Sequence, residues 1–269
     1  MGAATLANLL AENRLVRVPL NNTTISDVGA TAIAKALENS TLSELKLCEH
    51  LIGDKGALEL PHALEENSML KSLGLSGTKI TEVGFVALAK ALKNSMLMYL
   101  DLSNDEIGDS TVELAGALEE NSTLIMLSLS CVYIDDEGAT VLAEGLNRNS
   151  TLEELNLSFN SINENGTWAL AKALKKSLLT KLNSSNNAIG DEGAHDQAQA
   201  LQEISNLTKL DFSENGSGNK GAAALAEVLQ KNSTLTELDL SENVIGSKGA
   251  VALGEALQFN ANRAGSFSK

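Results

Sequence analysis

Among the residues able to do chemistry, Cys48 and His50 come closest to a nucleophile beside a base, two positions apart in Leu47-Cys48-Glu49-His50. On a strand that spacing puts both on one face. His50, however, stands where other stretches of the chain carry an inward asparagine, so its ring is expected to turn into the core. Three metal ligands from Cys48, Glu49 and His50 would need further donors from the next strand. There the sequence offers Gly74, Ser76 and Gly77. His62 and His195 fall on helical stretches without a nucleophile beside them. Gly53-Asp54-Lys55-Gly56, with counterparts at Gly218 and Gly246, imitates part of a phosphate-binding loop but lacks its Gly-Lys-Ser/Thr ending. These strings recur at a fixed interval and read as turns. No catalytic, cofactor or metal site is expected, which leaves recognition.

The elements that would position recognising side chains are written as one repeated sentence. Asn149 to Ala173 reads NSTLEELNLSFNSINENGTWALAKA, and close copies start at Asn232 and Asn67. The skeleton is Leu-x-x-Leu-x-Leu-x-x-Asn-x-Ile, a glycine-rich turn, then Ala and Leu at helical spacing. Period-2 alternation followed by helical periodicity predicts a strand–turn–helix unit, and repetition at fixed spacing predicts a solenoid. The strand pairs run from Val18/Leu20 through Leu45/Leu47, Leu127/Leu129 and Leu155/Leu157 to Leu238/Leu240, 27 or 28 residues apart, giving nine units. The expected fold class is α/β, a horseshoe with a nine-stranded parallel sheet inside and α-helices outside. Residues 1–14 read as the helical half of a repeat, 15–258 as the repeat domain and 259–269 as a degenerate tail, disordered or a makeshift cap.

Departures from the sentence mark expected weak points. Thr23, His50, Thr78, Asp105 and Val132 replace the inward asparagine kept at Asn160, Asn187, Asn215 and Asn243. Val132 has no polar atom with which to replace it. Pro61 lies inside a helix and is expected to kink it. Ser184, Gln197 and Ser217 replace core aliphatics in units seven and eight.

The formal net charge of -15 and pI near 4.6 argue against a nucleic-acid partner and favour a protein with a basic surface. Two cysteines do not make a disulfide framework. Cys48 and Cys131 lie three units apart, ~14 Å by strand spacing, too far for a bridge needing less than about 7 Å. With no signal segment and no long apolar run, a cytoplasmic protein away from membranes is expected. Neither end carries a capping motif, so self-association through uncapped ends, or a longer parent chain, is expected.

The outward strand positions define the binding face. They carry nine acidic residues against Arg17, Lys46, Lys181 and Lys209, an excess that suits solubility and a basic partner alike. In units four to six the face turns apolar, with Tyr99, Met126, Cys131 and Phe159, and Tyr133 in the following loop. These residues, flanked by Asp101 and Glu154, are the candidate partner-binding site, because exposed aromatics anchor interfaces.

Alternating 27- and 28-residue units with a full helix resemble the ribonuclease-inhibitor subfamily of leucine-rich repeats, over residues 15–258. The same repeat type occurs in sensor ends of NOD-like receptors and in the Ran GTPase-activating protein. The resemblance implies non-enzymatic protein binding on the concave face. Activation of a small GTPase, or a sensor fragment of a NOD-like receptor, is the alternative it implies. No short motif here maps onto the GTPase-activating residues, and the acidic tail of that family is absent.

Overall fold

The computed structural model describes residues 16–20, 24–107 and 110–266. The half-repeat expected over residues 1–14 lies outside the described residues. Nine three-residue strands form one sheet in sequential order. They are β1 (Arg17–Pro19), β2 (Glu44–Lys46), β3 (Ser72–Gly74), β4 (Tyr99–Asp101), β5 (Met126–Ser128), β6 (Glu154–Asn156), β7 (Lys181–Asn183), β8 (Lys209–Asp211) and β9 (Glu237–Asp239). Every pairing is parallel and leucine aligns with leucine: Leu73 with Leu100, Leu100 with Leu127, Leu127 with Leu155. All of these are buried.

The outer arc is helical: α1 (Asp27–Leu37), α2 (Asp54–Ala57), α3 (Leu60–Glu66), α4 (Glu82–Leu92), α5 (Thr111–Glu120), α6 (Asp136–Leu146), α7 (Glu164–Leu174), α8 (Gly190–Glu203), α9 (Asn219–Leu229) and α10 (Ser247–Ser266). Unit two has two short helices where its neighbours have one. Pro61 sits in the first turn of α3, where a missing N–H costs nothing. The expected kink is therefore a full break between Ala57 and Leu60. At the other end the leucine spacing stops at Leu257, yet α10 runs on to Ser266. No proline interrupts residues 247–266, and an existing helix gains one hydrogen bond for each residue added.

Three sets of bonds pass from unit to unit. Asn160 accepts from the N–H of Val132 and of Ile134 and donates to the carbonyls of Leu129, Leu157 and Ser158. Asn187, Asn215 and Asn243 repeat the pattern. A second row, Asn67, Asn121, Asn149 and Asn232, sits before β3, β5, β6 and β9. Asn149, for example, donates to the Leu118 carbonyl of the preceding unit and accepts from the N–H groups of Thr151 and Leu152. In the third set a helix start is capped by the previous unit. Asp136 accepts from the N–H of Asn163 at 2.8 Å and of Gly166 at 2.9 Å, and Asp54, Asp191 and Asn219 act alike. A carboxylate there meets the unpaired donors and the positive end of the helix dipole.

Helix packing brings backbone close to Gly145 on α6, where units three and six carry Ala91 and Ala173. A Cβ added to Gly145 would stand 2.7 Å from the Ala115 carbonyl oxygen and 2.8 Å from the Ala115 Cα on α5. Both are backbone atoms and cannot swing aside. Gly145→Ala is therefore expected to lower stability by roughly 1–3 kcal/mol despite alanine's better helix propensity. Denaturant unfolding at equilibrium checks this; an unchanged or higher midpoint would contradict it.

Candidate functional site

The sheet register brings outward side chains of successive units side by side. Tyr99 pairs with Met126, Met126 with Glu154 and Glu154 with Lys181. One position along is a second row, in which Asp101 pairs with Ser128 and Ser128 with Asn156. Strands about 4.8 Å apart make each row continuous. Cys131 and Phe159 lie five residues beyond Met126 and Glu154, past the strand ends in the turn that follows. The seven predicted residues thus occupy two edges of the concave face. Met126 and Glu154 border a groove of about 340 Å³ that continues past Lys181, Asn183 and Asp211 to Asp239. Cys131 and Tyr133 border a separate cleft, also about 340 Å³, with Thr78, Lys79, Asp105 and Glu106.

The aromatic members are open to solvent: Tyr99 is 42%, Phe159 53% and Tyr133 66% exposed. Sequence reasoning did not find the backbone state beneath them. In units two to nine the second residue after the inner core position turns left-handed, with φ of 61° at Glu49, 56° at Cys131, 56° at Phe159 and 55° at Glu242. Asn104 and Asn186 suit this state, and Gly77 adopts it freely. Phe159 and Cys131 do not; a left-handed non-glycine residue costs roughly 1–2 kcal/mol. Tyr133, in the next turn, shares the same strained state at φ 65°.

Charge on this face is more heavily used than a count of residues suggests. Lys181 pairs with Glu154 and Lys209 with Glu237, each across one strand boundary. Lys46 meets Glu44 on its own strand at 3.1 Å. Glu154, expected as a charge for the partner, is thus already answered by Lys181, and hydrogen bonding to Glu154 raises the Lys181 pKa. Asp101 accepts from the Ser103 N–H at 3.0 Å. Further along, the Ser241 hydroxyl and N–H hold the Asp239 carboxyl below its ordinary value. Part of the acidic strip thus also fixes strand ends.

The Cys48–His50 pair is not a catalytic arrangement. His50 is 2% exposed, turned into the core as expected. Burial pushes the Cys48 thiol above its ordinary value against a lowering hydrogen bond from the Ser76 backbone, the opposite of an activated thiolate. Cys48 and Cys131 are both free thiols. Among the described residues no helix is long and apolar enough to cross a membrane.

A family model described as "Leucine Rich repeat" matches residues 148–171, 175–195, 204–226 and 231–254. No curated protein matches the chain. Of solved structures, an internalin from Listeria monocytogenes shares 21% identity over 94% of this chain and 74% of its own, with a TM-score of 0.52. The tropomodulin C-terminal domain of Caenorhabditis elegans is 16% identical over 58% of this chain and 93% of its own, with a TM-score of 0.45. The first of these likenesses is one of fold. Its agreement with the nine sequential parallel strands and the four matched repeats carries one conclusion: the fold is a leucine-rich repeat solenoid.

Proposed function

We propose that the protein is a non-enzymatic binding module that takes a basic protein surface on the concave face of units four to six. The observation that carries this reading is the trio of exposed aromatics, Tyr99, Phe159 and Tyr133, in a chain with only 3% aromatic residues. Phe159 and Tyr133 are kept at left-handed positions where asparagine or glycine would cost less. Strain retained at an exposed bulky residue points to use of the side chain rather than to folding. Met126 adds apolar surface beside Tyr99, while Cys131 and Asp101 line the same arc. Strands locked in a sheet present these groups at little ordering cost. The acidic strip, with Glu154 softened by Lys181, would speed encounter with a basic partner more than it would tighten the complex.

The ribonuclease-inhibitor type of repeat and a cytoplasmic setting belong to the same proposal. So does self-association, supported by Leu235, Leu238 and Leu240 of unit nine, which are only partly buried. Affinity capture from cell extract, read by mass spectrometry beside a GTP-hydrolysis panel of small GTPases, tests the reading. Enrichment of a basic protein that is lost with Tyr99→Ser is expected. Accelerated GTP hydrolysis would favour the GTPase-activating alternative instead.

A further inference from the structure

Asp105 occupies the position held by Asn160, Asn187, Asn215 and Asn243 in later units, and it is only 4% exposed. Its Oδ1 accepts the Thr78 hydroxyl at 2.8 Å, and the Thr78 and Ile80 N–H groups also bond to the carboxyl. This matches what the Asn160 oxygen does for Val132 and Ile134. The other half of the group differs. Where Asn160 directs an NH2 at the carbonyls of its own and the preceding strand, Asp105 has Oδ2, which is buried and makes no hydrogen bond. By register the equivalent carbonyls are those of Leu102 and Leu75. Two acceptors cannot bond each other, and a buried carboxylate oxygen without a donor is costly.

We propose that Asp105 is a proton-dependent rung of the asparagine ladder. Protonated, its Oδ2–H donates where asparagine NH2 donates; ionised, it repels the carbonyls and loosens units three to five.

Burial drives the carboxyl up to about 7 and the Asp101 charge on β4 adds to the rise, against the lowering bonds from Thr78 and Ile80. The other titratable groups around it are Lys79, Glu106, Cys131 and Tyr133, which share its cleft, and His50, two rungs back. Unit five presents Val132, which carries no charge. The sign follows from linkage. An acid whose folded value lies above its unfolded value of 3.8 stabilises the fold fully below about pH 4, and that stability is lost as pH rises through about 7. The full span corresponds to roughly a thousandfold in the folding constant. Because Cys131 and Tyr133 line the same cleft, partner contacts there would strengthen on acidification. That consequence rests on the proposed function; the titration does not.

The test is urea unfolding of the full chain and of Asp105→Asn at pH 5 and pH 8. Carboxylates common to both proteins cancel in the comparison. The ratio of folding constants, variant to parent, is expected to rise by tenfold or more from pH 5 to pH 8. Amide exchange in residues 72–107, corrected for intrinsic rates, is expected to slow in the variant at pH 8. An equal ratio at both pH values would overturn the proposal. Independently of any variant, carbon-13 detected titration of the Asp105 carboxyl in the parent chain is expected to show a midpoint above 6, and a midpoint below 5 would overturn it as well.

Discussion

Replacing Asn160 by valine should destabilise the protein by about 3–4 kcal/mol, an effect of the size seen for large core truncations. Its side chain makes five hydrogen bonds to backbone groups of units five and six, at 2.8 to 3.2 Å. Each is worth only about 1 kcal/mol net, but a buried backbone group left without its partner loses more than the bond. The neighbouring rung is already aliphatic, because Val132 is fully buried there. The variant would thus place two rungs without polar atoms side by side. Volume is nearly kept, so the loss cannot be blamed on a cavity. The reverse change, Val132→Asn, should raise stability by about 1 kcal/mol. Equilibrium unfolding in urea measures both. A cost below about 1 kcal/mol for Asn160→Val would mean that the ladder does not hold the units together.

The second large effect has the opposite sign. Gln197 on α8 is 1% exposed and its Oε1 has no hydrogen-bond partner. Ser217, in the next unit, is equally buried and its hydroxyl is also unpartnered. Ser184 recovers one bond, to the Asp211 carbonyl at 3.2 Å. Gln197→Leu removes a buried, unsatisfied amide oxygen and adds apolar contact of similar volume, so a gain of about 2–3 kcal/mol is expected. A solenoid feels such a change mainly in adjacent units. Native-state hydrogen exchange should therefore show units seven and eight opening more readily than five and six in the parent chain, and the gap narrowing in the variant. Uniform protection over residues 120–230 would contradict this.

How far these features could be read from sequence depends on whether their cause lies within one unit or between two. The leucine pairs and the buried polar residues Ser184, Gln197 and Ser217 each break or obey a local pattern, so they were visible; at Pro61 a kink was legible, but not the full break into two helices. The inward asparagines were visible for the same reason. Asn67, Asn121, Asn149 and Asn232 recur just as regularly, yet their role was not legible, because recurrence does not say which neighbour a side chain will bond. Asp136 capping the helix of the following unit is hidden in the same way: donor and acceptor stand 27 and 30 residues apart. The left-handed turn at Cys131 and Phe159 leaves no trace in residue type, since those two are among the residues least suited to it. The candidate site was found as a cluster of apolar residues. Its division between two edges, and the pairing of Glu154 with Lys181, needed the register.

Units four to six are proposed to hold the partner. The most direct measurement is the affinity of a captured partner for the Tyr99→Ser, Phe159→Asn double variant, compared with the charge reversals Asp239→Lys and Glu242→Lys. Asparagine suits the left-handed backbone at residue 159, so the double variant should keep its melting temperature. Losing two aromatic anchors should weaken binding by roughly 2 kcal/mol or more, about thirtyfold in Kd, while the reversals should chiefly slow association. Normal binding by the double variant, together with loss of binding in the charge reversals, would place the site at the acidic C-terminal units and contradict this account.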